Sequence, residues 1–221
     1  MDQGYQTYSV SSFKEFQDII LEIPIEQFTL YRGQSMDKAL LPKIARYDVK
    51  DVKQIEHEMM HDFQRRSLHL IDLHPGNSWD WLALAQHHGM ATRLLDWTEN
   101  PLIALWFSMA PKTELRQSDY SVVWGFKVPS EDIVASTDQM SPFQEDATKV
   151  FKPNHITKRI SAQFGWFTLH NYNAQHRFVA FENNKEYSGR LFKIEIQSEC
   201  FSECKRRLHT FGINSASMYP D

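Results

Sequence analysis

Apolar positions recur with two periods along this chain. Phe13, Phe16, Ile20 and Ile23 repeat at helical spacing behind Ser12-Phe13-Lys14-Glu15, a capping box, and Pro24 closes the segment. Val52, Ile55, Met59 and Phe63 form one stripe of a longer helical pattern over Asp51–Leu73, which the breaker His74-Pro75-Gly76-Asn77 ends. Ser78 can cap a helix over Trp79–His88, with Asp80 in its first turn and Gly89 as its stop. Asn100-Pro101 is an N-cap and first-turn pair for Pro101–Ala110, whose apolar residues run all round and predict a core helix. A closing helix spans Ser198–Thr210, with Gly212 as its C-cap. Alternation or short apolar runs predict strands at Gln27–Arg32, Thr92–Trp97, Tyr120–Val128, Trp166–His170, Arg177–Glu182 and Arg190–Gln197. Residues 129–153 show no clear period and read as a surface excursion. Helices and strands mix without the regular alternation of a doubly wound sheet. This predicts a single α+β domain over 1–221, with mixed or antiparallel sheets around a cleft and helices packed outside.

Composition narrows the class. Of 221 residues, 42% are apolar and 24% charged, which excludes collagen-like and wholly disordered chains. No apolar run approaches the roughly 18 residues of a membrane span. Met1–Val10 is polar, so no secretory leader and no membrane partner are expected. Two cysteines, Cys200 and Cys204, fit a reducing compartment and a cytoplasmic protein. A net charge of -4 does not favour nucleic acid as a partner. Aromatic residues reach 13%, which implies a heavy core first and a cleft for a flat ligand second.

Four segments could carry chemistry. His57-Glu58-Met59-Met60-His61 has the spacing with which two histidines on one helix face bind zinc. No matching third ligand follows, so a solvated helix face is the better reading and no metal is expected. Cys200 and Cys204, with His209 beyond, fall short of a zinc tetrad and read as buried thiols. Gln86 to Thr98 packs Gln86, His87, His88, Thr92, Arg93 and Asp96 between two apolar helices. Such groups must be paired or face a cleft, so Arg93 and Asp96 either bind each other or read a ligand. Tyr31-Arg32-Gly33-Gln34 ends a strand, where Arg32 presents a fixed fork of donors suited to phosphate or carboxylate. Gly33 there frees the backbone for a turn or a close approach.

The last two segments resemble the FRG domain, named for its (F/Y)-R-G motif, here Tyr31-Arg32-Gly33. The resemblance runs through Leu41-Pro42, Trp81 to Gly89, Thr92 to Pro101, Ala104 to Phe107 and Gln163 to His170, and ends at Gly212-Ile213-Asn214 and Tyr219-Pro220-Asp221. FRG domains occur in bacteria and phages, often near defence and toxin systems. Their motif order is similar to that of ADP-ribosyltransferases, which implies an ADP-ribosyltransferase-like fold and NAD as substrate. On that resemblance Arg32, Gln163 and Glu182 are the expected catalytic residues, with Gln163 where a catalytic Glu would stand and Glu182 as its replacement. Tyr31, Arg32, Gly33, Gln86, His87, Thr92, Arg93, Asp96, Trp97 and Thr98 are expected to bind the nucleotide. Tyr31, Trp97 and Trp166 are expected to offer rings for stacking. Two functions follow: a transferase that modifies a macromolecular acceptor or hydrolyses NAD, or a non-catalytic module of the same fold that binds a nucleotide or a partner.

Overall fold

The computed structural model describes residues 4–48, 51–71, 74–110, 119–137, 140–154, 157–171 and 178–220. The elements in chain order begin with β1 (Gln6–Val10), α1 (Phe13–Leu21), β2 (Thr29–Gln34), α2 (Val52–Ser67), α3 (Ser78–His87), β3 (Leu94–Thr98) and α4 (Pro101–Ser108). They continue with β4 (Tyr120–Lys127), β5 (Lys149–Phe151), α5 (Lys158–Ala162), β6 (Gly165–Leu169), β7 (Leu191–Gln197), α6 (Phe201–Thr210) and α7 (Ser215–Met218).

Local chemistry starts the helices. Ser12 accepts from the Glu15 N–H at the head of α1, and Asn100 accepts from the Leu102 N–H ahead of Pro101. At α3 the cap is Asn77 rather than Ser78; its Oδ1 accepts from the Asp80 N–H at 2.9 Å. Gly89 follows α3 at φ +88°, a conformation that L side chains rarely adopt. Two strands lie outside the sequence expectation: β1, a polar strand, and the three-residue β5 within the segment read as an excursion. The strand expected over Arg177–Glu182 is instead a short 3-10 turn, Phe181–Asn183, and Arg177 lies outside the described residues.

The α+β class is as expected, but among the described residues the strands make one sheet of seven rather than separate sheets. Its order is β1-β7-β4-β2-β3-β6-β5, antiparallel except for the β1–β7 pair. β2 pairs with β4 along its whole length, from Thr29↔Lys127 to Gln34↔Val122. Against β3 it holds a single register pair, Tyr31↔Thr98. The sheet therefore opens into two halves beyond Tyr31. On one face α1, α4 and α6 pack on the β2–β4–β7 half through Phe13, Phe16, Ile103, Leu105, Ile194 and Leu208. α3 packs on the β3–β6 half, where Trp79 is fully buried and donates its indole N–H to Met140 O at 2.6 Å. The opposite face is closed by Leu40, Phe181 and Tyr187 over Trp97, Trp124 and Phe126. No helix among the described residues is long and apolar enough to cross a membrane.

Candidate functional site

A cleft of about 610 Å³ opens where β2 and β3 part, between the C-terminal end of α3 and the side of α4. Arg32 immediately follows the last bridge between the halves. Its Nη1 donates to the Asp96 carbonyl at 2.7 Å and lies 3.5 Å from Asp96 Oδ2, so the guanidinium spans the opening that backbone pairing leaves. Burial and the charge of Arg46 weaken its hold on its proton, and Asp96 opposes them. Arginine stays charged under such shifts, so the site concentrates a partly desolvated cation. Gly33 lets α4 approach β2: a Cβ there would stand 1.9 Å from Ala104 O.

A directed chain of hydrogen bonds holds Asp96. The Leu94 N–H donates to Thr92 Oγ1 at 3.2 Å, and the Thr92 hydroxyl donates to Gln86 Oε1. That contact fixes the amide of Gln86, whose Nε2 donates to Asp96 Oδ1 at 2.8 Å. The Asp96 side chain is 63% exposed and faces the cleft.

Charge is distributed unevenly. Arg32, Lys38, Lys43, Arg46 and Arg159 line the cleft, and Asp96 is the carboxylate among the described lining residues. Lys43 donates to Gly89 O at 2.7 Å and Arg46 to Leu41 O at 3.3 Å, contacts that position these cations without neutralising them. Arg159 lies 4.3 Å from the centroid of the Tyr219 ring. Two buried polar atoms of lining residues, Arg32 Nε and Ser35 Oγ, have no hydrogen-bond partner among the described residues. An acidic chain has thus gathered cations at one concavity, the electrostatic form of an anion site.

The expected site residues divide into two groups. Arg32, Gln86, His87, Asp96, Thr98, Gln163 and Trp166 line the cleft with Tyr31, Gly33 and Trp97. Gln163 Nε2 donates to Met218 O at 3.0 Å, tying α5 to the C-terminal segment. Thr98 accepts from the Asn100 N–H, a bond that starts α4. Tyr31 is 5% exposed, and burial pushes its hydroxyl to about 12. The Trp97 ring belongs to the core and donates to Thr168 Oγ1 at 2.8 Å, so Trp166 and Tyr219 are the more accessible aromatic surfaces. Thr92, Arg93 and Glu182 do not line the cleft. Arg93 pairs with neither Asp96 nor the cleft: its Nε lies 2.8 Å from Glu56 Oε2 and its backbone N–H donates to Glu56 Oε1, both side chains fully buried. Its other nitrogens reach Asn171 Oδ1 and Pro142 O. Glu182 accepts from the Leu40 N–H, and burial raises its carboxyl above the ordinary range. Lys38, Lys43, Arg46 and Arg159 were not legible as site residues, because single basic residues in irregular segments look like solvated surface.

His57 and His61 face each other at 4.5 Å between ring centroids, while Glu58 accepts from Gln54. Among the described residues no group of three or more His, Cys, Asp or Glu could hold a metal ion. Cys200 and Cys204 are buried, and burial pushes both thiols up.

His170 lies beneath the site. Trp97 donates to Thr168 Oγ1, which lies 2.6 Å from His170 Nε2. Burial, helped by the Arg32 charge, pushes His170 down to about 3 from 6.5. The unfolded chain then binds a proton that the folded one refuses. This group's contribution to stability is complete above pH 6.5 and is lost by about 1.4 kcal/mol per pH unit as pH falls toward 3. Urea unfolding at pH 7 and pH 5 should show this slope, and His170→Gln, which can still hydrogen-bond to Thr168, should reduce it. An unchanged slope would show that His170 titrates normally.

These features define an α+β domain with an anion-attracting cleft at a parted sheet. The FRG domain family model matches residues 27–117, the part of the chain that carries Arg32, Gln86, Thr92 and Asp96. No curated protein and no solved structure matches the chain.

Proposed function

We propose that the cleft binds NAD and that the protein is an ADP-ribosyltransferase-like enzyme, transferring ADP-ribose to a macromolecule or to water. The supporting observation is the wall of the cleft: five cations against one carboxylate among the described lining residues, with Arg32 at the parting of the strands. Guanidinium and ammonium groups suit a pyrophosphate, and Trp166 and Tyr219 offer faces for flat rings. The macromolecular acceptor and a part in bacterial or phage conflict rest on the family resemblance alone. A second reading, a non-catalytic nucleotide-binding module, is favoured by the position of Glu182 outside the cleft and by the absence of any glutamate among the described lining residues.

Release of nicotinamide from NAD by the purified protein separates the two. The enzyme reading expects release that Gln163→Ala and Arg32→Ala both reduce. Saturable NAD binding without release would establish the second reading, and neither binding nor release would remove both.

A further inference from the structure

We infer that Asp96 is the catalytic carboxylate of this site, held in place by Gln86 and Thr92 as positioning residues. The inference rests on the NAD reading above and assigns the role that the sequence placed on Gln163 or Glu182. Gln163 carries no charge and donates to Met218 O; Glu182 binds the Leu40 N–H away from the cleft. Asp96 is the carboxylate that the described wall presents, at the parting of the strands and beside Arg32.

The hydrogen-bond chain gives this carboxylate a defined orientation. The Asp96 carboxylate only accepts, so the Gln86 amide nitrogen must face it; Gln86 Oε1 is then left toward Thr92 and takes the hydroxyl proton, while the Leu94 N–H donates to Thr92 Oγ1. Reversing the amide would set Gln86 Oε1 against Asp96 Oδ1, oxygen to oxygen. Oδ1 is thus tied, and Oδ2 is left toward Arg32 and the cleft. A group fixed before substrate arrives is the form in which charge stabilisation lowers a barrier. A residue serving only the fold would not need an exposed carboxylate held by a chain that runs back into the core.

The reaction balances with these groups. The bond between ribose C1′ and the nicotinamide nitrogen breaks, and its electron pair returns to the ring, cancelling the positive charge there. A bond forms from C1′ to the oxygen of water or of an acceptor hydroxyl. The proton of that oxygen passes to Asp96 and then to solvent. Before the transfer, the carboxylate charge opposes the positive charge that develops at C1′ in the transition state.

The test uses the full chain, NAD as the probe and two variants, Asp96→Asn and Gln86→Glu. Asp96→Asn keeps an oxygen for the Gln86 amide, so NAD affinity measured by calorimetry should stay within about threefold while nicotinamide release falls by about a hundredfold or more. Gln86→Glu places two carboxylates at hydrogen-bond distance, so they share a proton and the acid limb of the pH–rate profile moves to higher pH. A purely structural Gln86 would lower the rate equally at every pH. Wild-type release by Asp96→Asn overturns the inference and leaves the NAD reading standing. Loss of NAD binding by Asp96→Asn makes Asp96 a ligand grip and also overturns it. A wild-type protein that neither binds nor cleaves NAD overturns the reading and the inference together.

Discussion

Glu56→Ala is expected to destabilise the protein by about 3–5 kcal/mol, because it strands a fully buried guanidinium. Both side chains of the Glu56–Arg93 pair have zero exposure, and Glu56 also accepts the Arg93 backbone N–H. The remaining Arg93 bonds, to Asn171 and Pro142, do not supply a counter-charge. Arg93→Met should be damaging for the mirror reason, leaving a buried carboxylate. The double replacement Glu56→Ala with Arg93→Met should be less damaging than the sum of the singles, since it removes both charges. Urea unfolding of the four proteins gives this coupling directly. A loss below about 1 kcal/mol for Glu56→Ala would mean that water reaches the pair. The pair matters to the site as well as to the core. It fixes the backbone at Arg93, between Leu94 and Thr92, whose hydroxyl meets Gln86 Oε1.

Gly33→Ala is expected to cost about 3 kcal/mol or more, from overpacking rather than from conformational strain. The added Cβ would meet Ala104 O at 1.9 Å and Ser108 N at 2.6 Å, both backbone atoms of α4. A helix backbone cannot rotate away as a side chain can, so α4 must shift as a body. At this chain length the loss corresponds to a melting temperature lower by about 6–12 °C. Ala104 and Phe107 of α4 line the cleft, so ligand binding should weaken with stability. A variant that melts within about 2 °C of wild type would show that α4 yields easily.

The sequence pattern carried the elements that bury a clear face and missed those that do not. Asn100-Pro101 and the all-apolar α4 were plain, as were β4 and β7, which the sheet buries on both faces. β1 was missed because it is a mostly polar edge strand in which only Tyr8 and Val10 alternate. Helix α2 was recognised with its face turned by about one residue. Of the stripe Val52, Ile55, Met59 and Phe63, Val52 is buried and Phe63 packs on the core, but Ile55 and Met59 are only half-buried, and Glu56, Met60 and Ser67 complete the buried positions. A glutamate outranks the apolar stripe there because Arg93, 37 positions later, brings a charge that must be met. No local window contains that pairing. The same holds for the site: Arg32, Gln86 and Asp96 were legible as polar groups that needed partners, but their mutual contacts depend on where β2 and β3 part. That parting is a property of the register, visible only once the strands are placed.

Calorimetric titration of NAD into the wild-type protein and into Arg32→Ala tests the central claim most directly. Arg32→Ala loses the clasp on the Asp96 carbonyl but keeps the Tyr31↔Thr98 bridge, so it should remain folded, which circular dichroism checks. The cleft reading predicts saturable binding by the wild type and a loss of about 10- to 100-fold in the variant, the worth of charge-assisted hydrogen bonds of about 1.5–3 kcal/mol. Wild-type protein that takes up no NAD, or a folded Arg32→Ala that binds it equally well, would contradict the account.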